Sequence, residues 1–377
     1  MNRSDALTIL HVIPAIGRGG AENHLVDLIQ QQRQRGHHPV VASLKNVAYW
    51  EAFLANLGVK VHYLGLQFYP DPVPIVRLRR LLQSIKPDIV HAHLPPAELY
   101  SRWALVGLSA QLPLVISKHN DRSFYAGIGQ AQVGRWVAQR AQQMIAISEA
   151  VRQNVCLHQL HCLPEQVSTI YYGLDPTPYQ AVDNGAVTAV RQSWGVPPST
   201  YLIGVVARLI PQKALHTVLT AFQHYLAQAT VPTQLVMVGR GALEFQLRQL
   251  ADQLQISQQV IWAGFREDMP AVMNAIDVLA LSSRYEGLGL VFLEAMAAAK
   301  PCVAPRVSAI PEVVEDGVTG ILVPPDAPAV MADAFLALSD PALRARYGQA
   351  GYEKVSNRFT LERMAEQTLS IYRKCIP

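Results

Sequence analysis

The stretch LTILHVIPAIGRGGAENHLVDL, residues 7–28, joins an apolar, β-branched run to a glycine-rich turn and then to an amphipathic segment. This order is typical of a strand followed by a helix in a parallel sheet whose faces are covered by helices. The apolar run 6–16 leads directly into Gly17-Arg-Gly-Gly20 without a small-residue cleavage site. We therefore interpret it as a strand rather than as a signal peptide.

The same alternation of strand-like and helix-like segments continues along the chain, with one interruption. The predicted strands cover 8–14, 38–44, 60–66, 88–94, 113–119, 143–148 and 168–173, and then 201–209, 234–240, 259–265, 275–283, 300–306 and 319–325. Residues 174–185 carry two prolines and an Asn-Gly pair without periodicity, which predicts a linker. We therefore predict an α/β protein with two doubly wound domains, 1–178 and 186–357, and an amphipathic C-terminal helix over 358–377.

Length and composition agree with two hydrophobic cores. The chain has 377 residues, of which 50% are hydrophobic and 16% charged, so an extended disordered protein is excluded. The net charge is only +4, and the excess lies in residues 1–183, which hold sixteen basic and twelve acidic residues. This balance argues against a nucleic-acid partner. Four cysteines without CxxC spacing predict a reduced, cytoplasmic compartment, and no segment approaches the roughly 20 apolar residues that span a bilayer.

The most informative stretch for chemistry is EGLGLVFLEAMAAAKP, residues 286–301. Its helix formers predict a short helix beginning near Gly289, whose first backbone N–H groups could bind an anion. Glu286 lies just before that helix and Glu294 in its second turn, so a ligand with a phosphate at the helix end could meet both carboxylates. A purely structural explanation also fits, in which Glu286 favours the helix N-terminus and Glu294 is solvated.

Two further features indicate anion binding. Arg208 and Lys213 flank the end of the strand 201–209, where two cations could neutralise a diphosphate, although two surface cations beside a proline turn fit equally. The turn 17–20 precedes a helix and tolerates a phosphate, but it lacks the GxGxxG spacing of a dinucleotide site. Because ligands of open parallel sheets bind at the carboxyl ends of the strands, we expect both sites to face one cleft.

Three histidines fall at or just past strand ends, His91 and His93 in HAH and His119 in SKHND. The HAH pair could suggest a metal site, but no third ligand stands at a metal-site spacing. We therefore predict hydrogen-bonded structural histidines at positions 91 and 93.

Together these motifs resemble glycosyltransferase family 4, the retaining, sugar-nucleotide-dependent enzymes of GT-B architecture. The resemblance covers essentially the whole chain. It rests on GRGGAENHLVDL (17–28), KPDIVHAH (86–93), SKHND (117–121), IAISEAV (145–151), GVVARLIPQK (204–213), LVMVGRG (235–241) and EGLGLVFLEAMA (286–297). It implies two Rossmann-like domains that face a cleft, with the last helix crossing back to the first domain.

The resemblance also implies roles for individual residues. Catalysis would involve Glu286 near the reacting carbon of the donor sugar, His119 against that sugar, and Arg208 with Lys213 on the diphosphate. Further donor contacts would come from Gly19, Gly20, Arg266, the backbone N–H groups around Gly289, Leu290 and Val291, and Glu294 at the ribose hydroxyls.

The implied activity is transfer of a hexose-type sugar from a UDP or GDP donor to an acceptor hydroxyl, with retention, in cell-surface polysaccharide, lipopolysaccharide or glycolipid synthesis. The chain contains no Asp-x-Asp, so we expect no essential metal and no cofactor beyond the donor substrate. Two alternatives stay open: a donor-binding protein without transfer activity, and a related GT-B sugar-nucleotide epimerase. The chain departs from the family at Tyr172, Ala214, Ala299 and Ala309, none of which removes a charged site residue.

The acceptor is expected to be a glycan, a lipid-linked sugar or a small molecule. The segment IVRLRRLLQSIK, residues 75–86, is a basic amphipathic helix that could lie on an anionic membrane. We favour the alternative, a helix that covers the sheet and exposes a solvated basic face. We therefore expect a cytoplasmic protein whose membrane contact, if any, is peripheral and on the inner face.

Overall fold

The computed structural model describes residues 6–108, 112–121 and 129–376. The chain divides into two compact units. The first unit combines Met1–Gly173 with Leu361–Pro377, and the second unit is Leu174–Thr360. Residues 1–5 and 377, at the ends of the predicted first domain and C-terminal helix, lie outside the described residues.

The first unit is built on a seven-stranded parallel sheet with the order β3-β2-β1-β4-β5-β6-β7. Its strands are β1 Thr8–Ile13, β2 His38–Ser43, β3 Val61–Tyr63, β4 Ile89–His93, β5 Leu114–Lys118, β6 Gln143–Ala146 and β7 Val167–Thr169. The strand order reverses between β1 and β4. At such a switch point the loops after two neighbouring strands diverge and leave room for a ligand.

The second unit has a six-stranded parallel sheet with the order β10-β9-β8-β11-β12-β13. Its strands are β8 Tyr201–Val206, β9 Thr233–Val238, β10 Val260–Gly264, β11 Val278–Ala280, β12 Cys302–Pro305 and β13 Gly320–Val323. Here the switch point lies between β8 and β11. All thirteen predicted strands are therefore present, which confirms the doubly wound α/β class.

Helices connect the strands and cover the sheets. They are α1 Gly20–Gln34, α2 Glu51–Asn56, α3 Val73–Ile85, α4 Pro95–Ala104, α5 Gln130–Ala138, α6 Glu149–Val151, α7 Thr177–Gln180, α8 Asn184–Ser193, α9 His216–Leu226, α10 Glu244–Gln253, α11 Met269–Ala275, α12 Leu290–Ala297, α13 Ile310–Val313, α14 Pro328–Ala337, α15 Pro341–Arg358 and α16 Leu361–Cys375. None of the described helices has both the length and the apolar character that crossing a bilayer requires.

The C-terminal helix α16 belongs to the core of the first unit, as predicted. Its buried residues Met364, Leu369 and Tyr372 pack in one cluster with Ile9 of β1 and Ile89 of β4. Alternate residues of a strand point to the same face, so every second position of these strands faces this cluster. The helix begins at Leu361 rather than at 358, because the preceding helix α15 extends to Arg358.

The prediction of a linker over 174–185 is wrong. These residues fold into the second unit as α7 and the start of α8. Asn274 Nδ2 donates a hydrogen bond to the Tyr179 carbonyl at 2.8 Å, and Gln180 Nε2 donates to the Ala297 carbonyl at 2.6 Å. The segment is therefore anchored to α11 and α12.

Helix α3 contains the basic segment 75–86. Leu78 and Leu82 are buried. Arg77 Nη1 donates to the Leu64 carbonyl at 2.9 Å and Arg79 Nη1 to the Val106 carbonyl at 2.5 Å. Because two of its arginine heads bind the protein's own backbone, these contacts support the interpretation of α3 as a sheet-covering helix.

Candidate functional site

The loops that follow β8 and β11 meet at the switch point of the second sheet. Ser282 Oγ donates to the carbonyls of Lys213 and Ala214 at 3.1 and 2.8 Å, and the Arg284 backbone N–H donates to the Gln212 carbonyl at 2.9 Å. These bonds tie the two loops together. They hold the residues that carry the predicted catalytic charges in a fixed arrangement.

Two of the predicted catalytic residues form an ion pair at this point. Lys213 Nζ donates to Glu286 Oε1 at 2.5 Å, and the two side chains are only 13% and 9% exposed. Arg208 lies on the same loop as Lys213 but is exposed, and its guanidinium has no partner among the described residues. The site therefore combines one neutralised cation with one available to an anionic ligand.

The helix α12 starts where it was predicted to start. Its cap Gly289 has φ 86°, a left-handed conformation that favours glycine, and a Cβ there would collide with the Phe292 ring. No side chain of the described residues caps this end, so the first N–H groups, those of Leu290 and Val291 among them, keep their capacity to bind an anion.

Glu294 is half-buried, so the expectation of a solvated side chain in the structural explanation is wrong. Burial raises its pKa to about 7, and a hydrogen bond with the Tyr179 side chain acts in the opposite direction. Tyr179 is itself buried and lies in α7. No sequence pattern indicated this partner, because its segment has the composition of a linker.

The glycines of the VGRG turn bring the loop after β9 against the loop that carries Arg208. Gly239 has φ 137°, and a Cβ there would collide with the Ala207 carbonyl; at Gly241 it would collide with the Leu209 carbonyl. Leu209 N–H donates to the Arg240 carbonyl at 3.0 Å. The motif therefore shapes the Arg208 loop through close backbone approach.

The Arg266 side chain is held by its own loop. Its Nε and Nη2 donate to the two carboxylate oxygens of Asp268 at 2.8 and 2.5 Å. This pairing raises the pKa of Arg266 and lowers the pKa of Asp268. The Arg266 side chain is thus engaged within its own loop.

In the first unit, Gly20 begins helix α1 and Gly19 precedes it in an extended conformation. Glu22 folds its carboxylate back towards Gly19, where an added Cβ would collide with it. The helix end that was predicted to accept a phosphate therefore already has a carboxylate beside it. The sequence analysis missed this contact.

His119 follows β5 and is 7% exposed. Its Nδ1 lies 2.5 Å from the Tyr172 hydroxyl and its Nε2 lies 3.3 Å from His93 Nδ1. Burial lowers its pKa to about 3, so the ring is neutral at pH 7. Both ring nitrogens are thus engaged by the chain itself, whereas the predicted role placed the side chain against a sugar.

The prediction of hydrogen-bonded histidines at 91 and 93 is confirmed. His91 Nδ1 lies 2.6 Å from the Tyr372 hydroxyl and His93 Nε2 lies 3.0 Å from His11 Nδ1. His11 supplies the third member that the sequence analysis missed, since ring nitrogens of His11, His91 and His93 lie within 4.8 Å of one another. Every ring nitrogen of the three has a hydrogen-bond partner.

Two doubly wound α/β units, with the last helix of the chain returned to the first, define the GT-B class. Residues 18–177 match the family described as Glycosyltransferase Family 4, and residues 187–354 match that described as Glycosyl transferases group 1. The chain belongs to this family of glycosyltransferases.

Relatives with an assigned activity extend over most of the chain. It is 33% identical to alpha-maltose-1-phosphate synthase of Mycobacterium tuberculosis, covering 86% of this chain and 92% of that protein. It is 25% identical to N-acetyl-alpha-D-glucosaminyl L-malate synthase of Bacillus anthracis, covering 95% and 94%. Among solved structures, Anabaena Alr3699/HepE in complex with UDP and glucose matches with a TM-score of 0.85 and 25% identity over 98% of this chain and 100% of that one. These matches confirm the predicted family and fold.

Proposed function

We propose that this protein transfers a hexose from a nucleoside-diphosphate sugar, with UDP as the first nucleotide to test, to an acceptor hydroxyl with retention and without an essential metal. The observation that carries the proposal is the Lys213–Glu286 pair beside exposed Arg208 at the switch point of the second sheet. The similar Alr3699/HepE structure contains UDP and glucose, which supports the choice of donor.

In this proposal the second unit stabilises the departing nucleotide. Negative charge accumulates on the diphosphate as its bond to the sugar breaks, and preorganised cations and N–H groups stabilise that charge. Arg208 and Lys213 supply the cations and the uncapped start of α12 the N–H groups. Glu286, fixed by Lys213, lies at the reacting end of the donor.

Glu294 would hold the ribose hydroxyls. Because its pKa is raised to about 7, the carboxyl both donates and accepts hydrogen bonds near neutral pH. The Tyr179 side chain fixes its orientation. Arg266 and the backbone around Gly19 and Gly20 are proposed to complete the donor contacts.

The acceptor is proposed to be a glycan, a lipid-linked sugar or a small molecule in cell-surface polysaccharide, lipopolysaccharide or glycolipid synthesis, reached from the cytoplasm. A peripheral membrane contact through 75–86 also belongs to the proposal. Sedimentation with anionic vesicles at low and high salt tests it, because binding by the α3 arginines would weaken as salt screens the charges.

Nucleotide binding and transfer can be tested separately. A thermal-shift panel of UDP, GDP and their sugars, each with and without EDTA, should show stabilisation by one nucleotide class that EDTA leaves unchanged. In the Glu286→Gln variant, nucleotide binding should persist while nucleotide release with acceptors falls roughly 100-fold. Glu366→Gln, an exposed change on α16, is the matched control. Unchanged turnover in Glu286→Gln, or loss of stabilisation with EDTA, would contradict the proposal.

A further inference from the structure

Eight side chains of the first unit form one continuous hydrogen-bonded chain. In order they are Tyr172, His119, His93, His11, Gln32, Tyr372, His91 and Ser117. The seven successive distances between their polar atoms are 2.5, 3.3, 3.0, 2.9, 3.5, 2.6 and 2.8 Å. We call this set the histidine chain.

The histidine chain links the sheet to two helices. Its members come from β1, β4 and β5 or their ends, from α1 through Gln32, from α16 through Tyr372, and from the segment after β7 through Tyr172. Six of the eight are at most 1% exposed, whereas Tyr172 and His119 are 4% and 7% exposed. The chain therefore approaches the surface at its His119–Tyr172 end.

The four histidines of the chain are neutral at pH 7. Burial lowers the pKa of His11 to about 4 and that of His119 to about 3, and it lowers the pKa of His91 and His93 well below the usual value. A neutral imidazole has one nitrogen that donates and one that accepts. Since every ring nitrogen is engaged within the chain, only two arrangements satisfy all of them together with the Gln32 amide and the Tyr372 hydroxyl proton.

In the arrangement set by the observed Gln32 amide, its Oε1 accepts from His11 and its Nε2 donates to Tyr372. All four histidines then carry the proton on Nε2, and the Tyr172 hydroxyl donates to His119. In the reversed arrangement all four carry it on Nδ1, and His119 donates to Tyr172. A mixture would leave a buried donor or acceptor of the chain unpaired, at a cost of about 1–3 kcal/mol.

We propose that Gln32, His11 and His93 are positioning residues for His119. Through the chain they fix one tautomer of His119, so that the Tyr172 hydroxyl donates inwards and presents only an acceptor to a ligand. A sugar hydroxyl that binds at this end must therefore donate its own proton. This inference rests on the proposed function and on the role that the family resemblance implies for His119, against the donor sugar.

The tautomers can be read directly from the full chain labelled with ¹⁵N-histidine. We expect long-range ¹H–¹⁵N spectra to show His11, His91, His93 and His119 all as neutral Nε2–H rings. Different tautomers among the four would overturn the proposal. This measurement does not depend on enzyme activity, whereas the proposed function is tested by nucleotide binding. Failure of the tautomer prediction can therefore be told apart from failure of the proposed function.

The variant Gln32→Glu makes a sharper test. At a pH above its own pKa, which burial raises, the new carboxylate is ionised and can only accept. His11, His93 and His119 should keep Nε2–H, but Tyr372 must now donate to the carboxylate and His91 must change to Nδ1–H. The matched control Gln31→Glu changes a neighbour on α1 that bonds to Gln34 outside the chain, and should alter none of the four. A change at all four or at none in Gln32→Glu would overturn the proposal.

Two further measurements address a variant that fails to fold and the alternative of a metal site. If Gln32→Glu fails to fold, Tyr372→Phe replaces it: the contacts among Gln32, His11, His93 and His119 remain, so the last three should keep Nε2–H, and a changed tautomer in any of them would overturn the proposal. Titration with Co²⁺ addresses metal binding: visible absorption bands, together with loss of the free-imidazole shifts of His11, His91 and His93, would overturn the proposal in favour of a metal site.

Turnover separates positioning from a purely structural role. Gln32→Leu removes both hydrogen bonds of the amide, whereas Gln32→Glu preserves the polarity that reaches His119. We expect Gln32→Leu to lower kcat several-fold more than Gln32→Glu does, with the KM for the donor little changed. Equal losses in both variants would overturn the positioning role.

Discussion

Replacing Lys213 by alanine should destabilise the second unit by about 2–3 kcal/mol, because Glu286 would keep a nearly buried charge without its cation. At the observed 2.5 Å and an effective dielectric constant of about 20, the gross attraction is about 6–7 kcal/mol. Desolvation of both groups offsets part of it. The remaining exposure of 13% and 9% leaves each group partly hydrated, so the cost falls below the 3–5 kcal/mol typical of fully buried pairs.

A double-mutant cycle measures the coupling directly. Urea unfolding of Lys213→Ala, Glu286→Ala and the double variant should give a coupling energy of about 2 kcal/mol, with the double variant destabilised by less than the sum of the single changes. The exposed pair Arg248–Glu244, at 47% and 36% exposure, provides a matched control. Its coupling should stay below about 0.5 kcal/mol.

Additive single and double changes, within about 0.5 kcal/mol, would refute this reasoning. They would mean that the charges of Lys213 and Glu286 are solvated independently in solution. The charged arrangement proposed to receive the donor would then lack its fixed carboxylate.

Three further predictions concern single sites. The folded pKa of Glu294, about 7, exceeds its ordinary value of 4.5, so the free energy of unfolding should fall as pH rises from about 5 to 8, by roughly 3 kcal/mol. In urea unfolding, Glu294→Gln should lack this loss. Parallel pH profiles for the two proteins would contradict the prediction. Gly239→Ala forces a Cβ onto a backbone carbonyl at a left-handed φ. It should lower the free energy of unfolding clearly more than Gly195→Ala, where the space is open and a loss of about 1 kcal/mol is expected. Equal melting temperatures of the two variants would contradict the prediction. Lys118→Met removes the cation beside the fully buried Glu98 and should lower the free energy of unfolding in urea by about 3–5 kcal/mol. Adding Glu98→Gln should restore most of this loss. No recovery in the double variant would contradict an electrostatic cause.

The strands could be predicted from the sequence because buried parallel strands appear as short, continuous apolar runs. The error at 174–185 has an identifiable cause. Pro176 and Pro178 stand at the start of α7, where a proline fits a helix because its missing N–H would be unpaired anyway. Prolines that open a helix and prolines that break one look alike in a single sequence.

The candidate site divides along similar lines. Glu286 and Lys213 could be found from their motifs, but their ion pair depends on the loop bonds that join them across the switch point. His11 lies beside His91 because β1 pairs with β4, an arrangement that local patterns do not encode. Tyr179 also acts through a tertiary contact, with Glu294. Residues that stand in a recognisable motif could thus be predicted from the sequence, whereas their contact partners could not.

The place of α16 has a consequence for how the protein is made. The sheet of the first unit leaves the ribosome early, but the helix that covers Ile9 and Ile89 is translated only after the whole second unit. Until then that apolar sheet face lacks the α16 side chains that complete its cluster. The first unit therefore completes its core only after the second unit has been synthesised, and termination just before α16 would release a chain with a finished second unit and an open, aggregation-prone first one.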